Sequence, residues 1–279
     1  MAAREIAGAR RRHDTLPRVP PCLPLAACPV ERLRRASGVL TDIDDTLTTG
    51  GAITADALAA LHDLRDAGIA VAAITGRPMG WSEPFARAWP IDAIVAENGG
   101  VALIGETVEY AQDGATRARN ATRLADVAER VLREVPGAML ARDSAGRVTD
   151  IAIDHGEFAR LDATTIDRVV ALLRDAGMNA TVSSIHINGW FGAHDKWSGA
   201  QWIVRALSGR SLDSEIERWV YVGDSTNDQI MFGRFALSVG VANLLRFERE
   251  LRVWPAYLTA GERGAGFAEV ARALLDARR

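Results

Sequence analysis

Val39-Leu40-Thr41-Asp42-Ile43-Asp44-Asp45-Thr46-Leu47 is a short apolar run that ends in acids. A run of that length, closed by polar residues, fits a strand buried on both faces. The arrangement recurs along the chain. Ile69 to Ile74 ends at Thr75-Gly76, and Ile94-Val95-Ala96 is closed by Glu97-Asn98-Gly99-Gly100. Trp219-Val220-Tyr221-Val222 ends at Gly223-Asp224, and Ala236 to Val241 reads as one more short strand. Helical signals alternate with these runs. Leu58, Leu61 and Leu64 share a helical spacing, and Gly68 is placed to end that helix. Pro78 suits a first helical turn, and Trp202 to Leu207 continues another helix. Repeated strand–helix units predict a doubly wound α/β fold with a parallel sheet covered on both faces. Ligands of such sheets bind beyond the carboxyl ends of the strands.

Residues 105–187 change character and predict a smaller α+β unit inserted in the chain. Arg117 to Val135 is amphipathic, with Leu124, Val127, Val131 and Leu132 on one side. Val148 to Ile153 reads as a strand, Asp162 to Ala176 as a helix capped by Asp162, and Thr181 to Ile187 alternates like a strand. The expected division is therefore a core of 37–104 and 188–279 around an insertion of 105–187. Residues 1–36 read as a disordered extension, because Pro17, Pro20, Pro21, Pro24 and Pro29 forbid a continuous helix. Leu25-Ala26-Ala27-Cys28 resembles a lipoprotein cleavage box, but the stretch before it is short and broken by proline.

The totals exclude several classes. Apolar residues make up 48% of the 279 and charged residues 25%, an ordinary globular balance. The net charge of -3 gives no basic field for nucleic acid. No apolar run approaches the roughly 20 residues of a membrane span. Cys22 and Cys28 are the only cysteines, too few for a disulfide framework, so a cytoplasmic setting is the expectation. Arginine is abundant, yet lysine occurs once, at Lys196.

The polar residues at strand ends carry the chemistry. Asp42 and Asp44 follow the first strand, Thr75 the second, and Asp224 and Asp228 a late one, while Lys196 opens a helix. An extended backbone would aim Asp42 and Asp44 to one side. Clustered carboxylates repel unless a cation neutralises them, and hard oxygen ligands suit Mg2+. A carboxylate can attack phosphorus, and a second can protonate the leaving oxygen and later deprotonate water. A metal, a lysine and a hydroxyl can offset charge on the transferring group. Each residue also has a plainer reading. Asp224 and Asp228 suit helix caps, Thr75-Gly76 a strand-ending turn, and Arg77 either the phosphate or the surface. His186 and His194 read as solvated, and Trp81, Trp89 and Trp190 as packing residues.

Taken in order, these motifs resemble the haloacid dehalogenase superfamily, in its phosphatase branch. Asp42-Ile43-Asp44-Asp45-Thr46-Leu47 is similar to the first motif, Ile74-Thr75-Gly76-Arg77 to the second, Lys196 to the third, and Gly223-Asp224-Ser225-Thr226-Asn227-Asp228 to the fourth. The resemblance covers about residues 38–104 and 188–279. It implies a Rossmann-like core with a cap. Asp42 would be nucleophile and metal ligand. Asp44 would be general acid/base, with its carbonyl on the metal. Thr75, Gly76, Lys196 and Asn227 would hold phosphate, and Asp224 would complete the Mg2+ site. Asp228 would sit behind the ligands or join them. An insertion between the second and third motifs, preceded by Glu97-Asn98-Gly99-Gly100, resembles the subclass that often acts on sugar phosphates.

The expected function is hydrolysis of a small phosphorylated metabolite through an aspartyl phosphate. A phosphotransferase or mutase on the same scaffold, or a silent phosphate-binding protein, are the competing readings. A signalling receiver domain is disfavoured by the cap-sized insertion between Asp42 and Lys196 and by the lack of a following output domain.

Overall fold

The computed structural model of the protein describes residues 21–279. A nine-stranded sheet forms its centre. Its spatial order is Leu23–Pro24, Tyr257–Leu258, Ser238–Gly240, Trp219–Gly223, Gly38–Thr41, Ala70–Ile74, Ala93–Ala96, Val101–Ile104 and Thr107–Tyr110. The first seven pair in parallel, and the last two add antiparallel. Gly38–Thr41 lies between Trp219–Gly223 and Ala70–Ile74. Chain order therefore runs away from it in both directions, which opens a crevice beyond its carboxyl end.

Alternation along the strands feeds two apolar layers. Val39, Val71, Ala73, Val220 and Val222 face one way, onto the helices Ala55–Asp66 and Arg263–Asp276 through Leu61, Leu64, Phe267 and Leu274. Leu40, Ala72, Ile74 and Tyr221 face the other, onto Lys196–Ser208 through Ala200, Ile203 and Val204. All four residues of Gly38–Thr41 are buried. The doubly wound α/β core predicted from the strand–helix rhythm is the observed one.

The N-terminal expectation is corrected over residues 21–36; residues 1–20 lie outside the described residues. Leu23–Pro24 extends the sheet, and Val30–Arg35 is a helix. Leu25, Cys28 and Leu33 join the core, and Arg34 Nε donates to the Ala277 carbonyl at 2.8 Å. Two of the prolines that argued for disorder, Pro24 and Pro29, sit where proline is tolerated. Pro24 lies in an edge strand and Pro29 directly precedes a helix.

The cap carries a four-stranded antiparallel sheet, ordered Asn179–Val182, His186–Trp190, Asp150–Asp154 and Met139–Leu140. Helices Gly114–Glu134 and Ala163–Asp175 pack on it through Leu124, Val127, Val131, Val169 and Leu173. Asp162 caps the second helix, accepting from the Thr165 amide at 2.7 Å. Two boundaries differ from the expected 105–187. Thr107–Tyr110 belongs to the core sheet, and His186–Trp190 belongs to the cap. The supposed strand 181–187 is two strands with a turn, because Ser183 bonds back to His186.

Candidate active site

Asp42 and Asp44 follow the Gly38–Thr41 strand and take different partners. The Asp42 amide still bonds to the Val222 carbonyl, and the chain turns after Ile43, whose carbonyl accepts from the amides of Thr46, Leu47 and Thr48.

Asp42 faces inward. Its Oδ1 accepts from Lys196 Nζ at 2.9 Å, and Lys196 reaches Asp228 Oδ1 at 2.7 Å. Oxygens of Asp42, Asp224 and Asp228 lie within 4.8 Å of one another, and all three residues are buried. Burial pushes the Asp42 carboxyl up to about 7, opposed by Lys196 and reinforced by Asp228 and Asp44. Burial also pushes Asp224 well up, with Asp42 and Asp228 adding to it. Burial disfavours the Lys196 ammonium, yet Asp228 and Asp42 outweigh it and raise its pKa.

The acids of the fourth motif are not equivalent. The Asp228 carboxylate accepts from Tyr221 Oη at 2.5 Å, Lys196 Nζ at 2.7 Å, and the amides of Asp224 and Ser225 at 2.9 and 3.1 Å. Four donors fill a carboxylate's usual acceptor positions. Asp224 Oδ2 accepts from Asn243 Nδ2 at 3.1 Å, while its buried Oδ1 has no partner.

Asp44 turns to Arg77, whose guanidinium bonds both carboxylate oxygens at 2.9 to 3.1 Å. Arg77 is itself buried and reaches Asp143 at 3.1 Å and Glu157 at 2.8 Å, both in the cap. This settles the open reading of Arg77 as neither surface cover nor a free cation. Beside it, Arg147 bonds Asp143, Asp150 and the Gly76 carbonyl. Glu97 clamps the cap's return from the core side. Its carboxylate accepts from the amides of Met79, Val148 and Thr149, and from the Thr149 hydroxyl. His186 and His194, expected to be solvated, are buried. His186 Nε2 sits 3.2 Å from Glu157, and Trp190 Nε1 donates to the His194 carbonyl.

Thr75 ends the strand next to Gly38–Thr41, and its Oγ1 accepts from the Arg77 amide at 3.0 Å. The Gly76 carbonyl accepts from Asn188 Nδ2 as well as Arg147, tying this turn to the cap. Asn227 Oδ1 accepts from the Ser225 hydroxyl. Lys196 and Asn227 line a cavity of about 630 Å³, with Asn98 and Asp195 from the core and Asn179, Thr181 and Trp190 from the cap. A second cavity of about 380 Å³ holds Asp44 and Arg77, with Glu157 and Phe158 of the cap. Sequence reasoning missed Tyr221, Asn243, Asp143 and Glu157. No motif marks them: Asp143, Glu157 and Asn243 act through contacts distant in the chain, and Tyr221 reads only as part of an apolar strand.

Residues 39–127 match the family model of haloacid dehalogenase-like hydrolases. The fold is that of the haloacid dehalogenase-like hydrolases. Among solved structures, a Thermoplasma acidophilum protein superposes with a TM-score of 0.66 at 14% identity, covering 86% of this chain and 98% of its own. The sucrose-phosphatase of Synechocystis, solved with sucrose and phosphate, gives 0.63 at 16% identity, with the same 86% and 98% coverage. A haloacid dehalogenase subclass IIB sugar phosphatase gives 0.60 at 16% identity, again covering 86% and 98%. No curated protein matches the sequence significantly. Among the described residues, no helix is long and apolar enough to cross a membrane.

Proposed function

We propose that the protein is a Mg2+-dependent phosphohydrolase acting on a small phosphorylated metabolite, in the first place a sugar phosphate. One observation carries this reading: Asp42, Asp224 and Asp228 crowd together in the interior with Lys196 as their partner. Three carboxylates less one ammonium leave two negative charges, the amount a divalent cation matches. The donor set is hard oxygen, which suits Mg2+. The free Oδ1 of Asp224 and a carboxylate oxygen of Asp42 would hold it, with the Asp44 carbonyl. Asp228, its acceptor positions filled, would position Lys196 and the Asp224 turn. When bound, the cation would offset negative charge on the phosphoryl group.

In the proposed reaction a carboxylate oxygen of Asp42 attacks phosphorus, and the bond from phosphorus to the leaving oxygen breaks. Lys196, Thr75, the Gly76 amide and Asn227 hold the phosphoryl oxygens. Asp44 gives its proton to the leaving oxygen. It then takes one from water, which attacks the aspartyl phosphate and returns Asp42. The Arg77 guanidinium occupies both Asp44 oxygens, so the pair must loosen before Asp44 can reach the leaving oxygen. The likeness to a sucrose-phosphatase and the roomy cavity under the cap support a sugar phosphate.

The test is phosphate release from a panel of phosphorylated sugars, sugar acids, nucleotides and cofactors, with Mg2+ and with EDTA. Sugar phosphates should turn over best, and EDTA should stop the reaction. Full activity in EDTA would overturn the metal assignment. A clear preference for nucleotides would displace the sugar.

A further inference from the structure

The larger cavity contains a buried polar group that the fold leaves unsatisfied. Asn98 is 1% exposed and lines the cavity beside Lys196 and Asn227, and its Nδ2 has no hydrogen-bond partner. A buried donor left without an acceptor destabilises the fold. The backbone adds to that cost. Glu97 and Asn98 have φ of 50° and 54°, the left-handed region that non-glycine residues seldom enter. Strain of this kind gathers where it serves a ligand. For Glu97 the return is visible, because its carboxylate ties the Val148 and Thr149 amides of the cap to the Met79 amide of the core. Asn98 shows no such return within the protein.

Its position is fixed on every side. The Asn98 amide donates to the Thr75 carbonyl at 2.9 Å. Its carboxamide lies over Gly76, where a Cβ would come within 3.3 Å of Nδ2. Next in the chain, a Cβ on Gly99 would sit 2.2 Å from the Asp195 carbonyl, and one on Gly199 would sit 3.0 Å from the Gly99 Cα. The turn is thus pressed onto the helix that Lys196 opens. The carboxamide stands between the Thr75-Gly76 turn and the neighbourhood of the ammonium. Rotation about its last torsion, which is soft, presents Nδ2 to the cavity.

We infer that Asn98 is a substrate-contacting residue whose carboxamide donates to a phosphoryl oxygen. The inference rests on the phosphohydrolase reading and adds a donor that the four motifs do not contain. The plainer account holds that asparagine is there only because it tolerates a left-handed turn. Asn98→Gly separates the two, since glycine keeps the turn and removes the amide. The measurements are thermal melting, kcat and KM, and calorimetric affinity for inorganic phosphate with Mg2+ present. Asn98→Gly should melt at or above wild type, bind phosphate about tenfold or more weakly, and lose kcat/KM to match. Asn98→Asp, which also tolerates the turn, should lose more, because a carboxylate would face the anion. It carries the comparison if the glycine variant melts low. Phosphate affinity within twofold of wild type in a folded variant would overturn the inference and leave the phosphohydrolase reading intact. Wild-type protein that neither binds phosphate nor releases it from any ester would remove both.

Discussion

The floor of the site and the seam beneath the cap both bury charge, and they differ in the ratio of acids to cations and in the kind of cation. On the floor, three carboxylates share one ammonium, Asp224 Oδ1 is left without a partner, and burial holds Asp42 up to about 7. At the seam, guanidinium forks meet carboxylates contact by contact. Arg77 reaches Asp44, Asp143 and Glu157, and Arg147 reaches Asp143 and Asp150. Partial burial pushes Glu157 up, but bonds from His186 and Arg77 bring it down to about 2. A planar fork suits such a seam because it bonds carboxylates bidentately and stays charged. A compact ammonium suits the floor, where the lone lysine stands. Burial pushes Asp150 of the seam up to about 7 as it does Asp42, so what sets the floor apart is an excess of acids over cations, with a buried acid oxygen left open at Asp224.

The sharpest way to break this contrast is Asp42→Asn. It removes the proposed nucleophile and one of the crowded charges together. Turnover should fall by about a thousandfold or more, as expected when a covalent nucleophile is lost. The fold should hold, because a neutral amide relieves repulsion among the acids. Steady-state kinetics and a thermal melt check both halves. A variant with near wild-type turnover would return Asp42 to a structural role.

The seam should respond the other way, through stability. Arg77→Gln leaves Asp44, Asp143 and Glu157 facing one another without their shared cation. Removing one partner of a buried ionic set typically costs about 3–5 kcal/mol. Chemical denaturation should show a loss of that order. Glu157→Gln should cost far less, because Glu157 lies nearer solvent and leaves Arg77 two carboxylates. Equal losses in the two variants would mean that the seam is a set of independent surface pairs.

The same contrast explains what the sequence discloses. Floor residues lie at strand ends, where an apolar run stops at an acid or a hydroxyl, so Asp42, Thr75 and Asp224 are legible one segment at a time. The parallel core is legible for the same reason. The seam is written across distance. Arg77 meets Glu157 from eighty positions away, and nothing local marks Glu157 as its partner. What period-two logic cannot show is that Asp42 and Asp44 take different partners, Lys196 and Arg77, once the chain turns after Ile43. The reading of residues 21–36 failed because proline density was taken without regard to edge strands and helix starts, where Pro24 and Pro29 stand. The histidines failed because a polar ring near a chain return gives no sign of what will cover it.

His194 offers the smallest and cleanest test of that last point. Its ring is buried with an unpartnered Nε2, and burial holds its pKa down at about 4, against 6.5 ordinarily, with Asp195 opposing weakly. Between those values the unfolded chain takes up a proton that the folded ring refuses. Stability from this group is therefore complete above about pH 6.5 and is lost as pH falls toward 4. At pH 5 the loss should be about 1–2 kcal/mol. Carboxylates titrate in the same range, so wild type alone cannot isolate the effect. His194→Gln removes only the imidazole, and the other groups cancel in the difference. Denaturation of both proteins at pH 7 and pH 5 should show the wild type losing more than the variant by that amount. Parallel losses would put the ring in contact with water, and the seam around Trp190 would then be looser than its contacts imply.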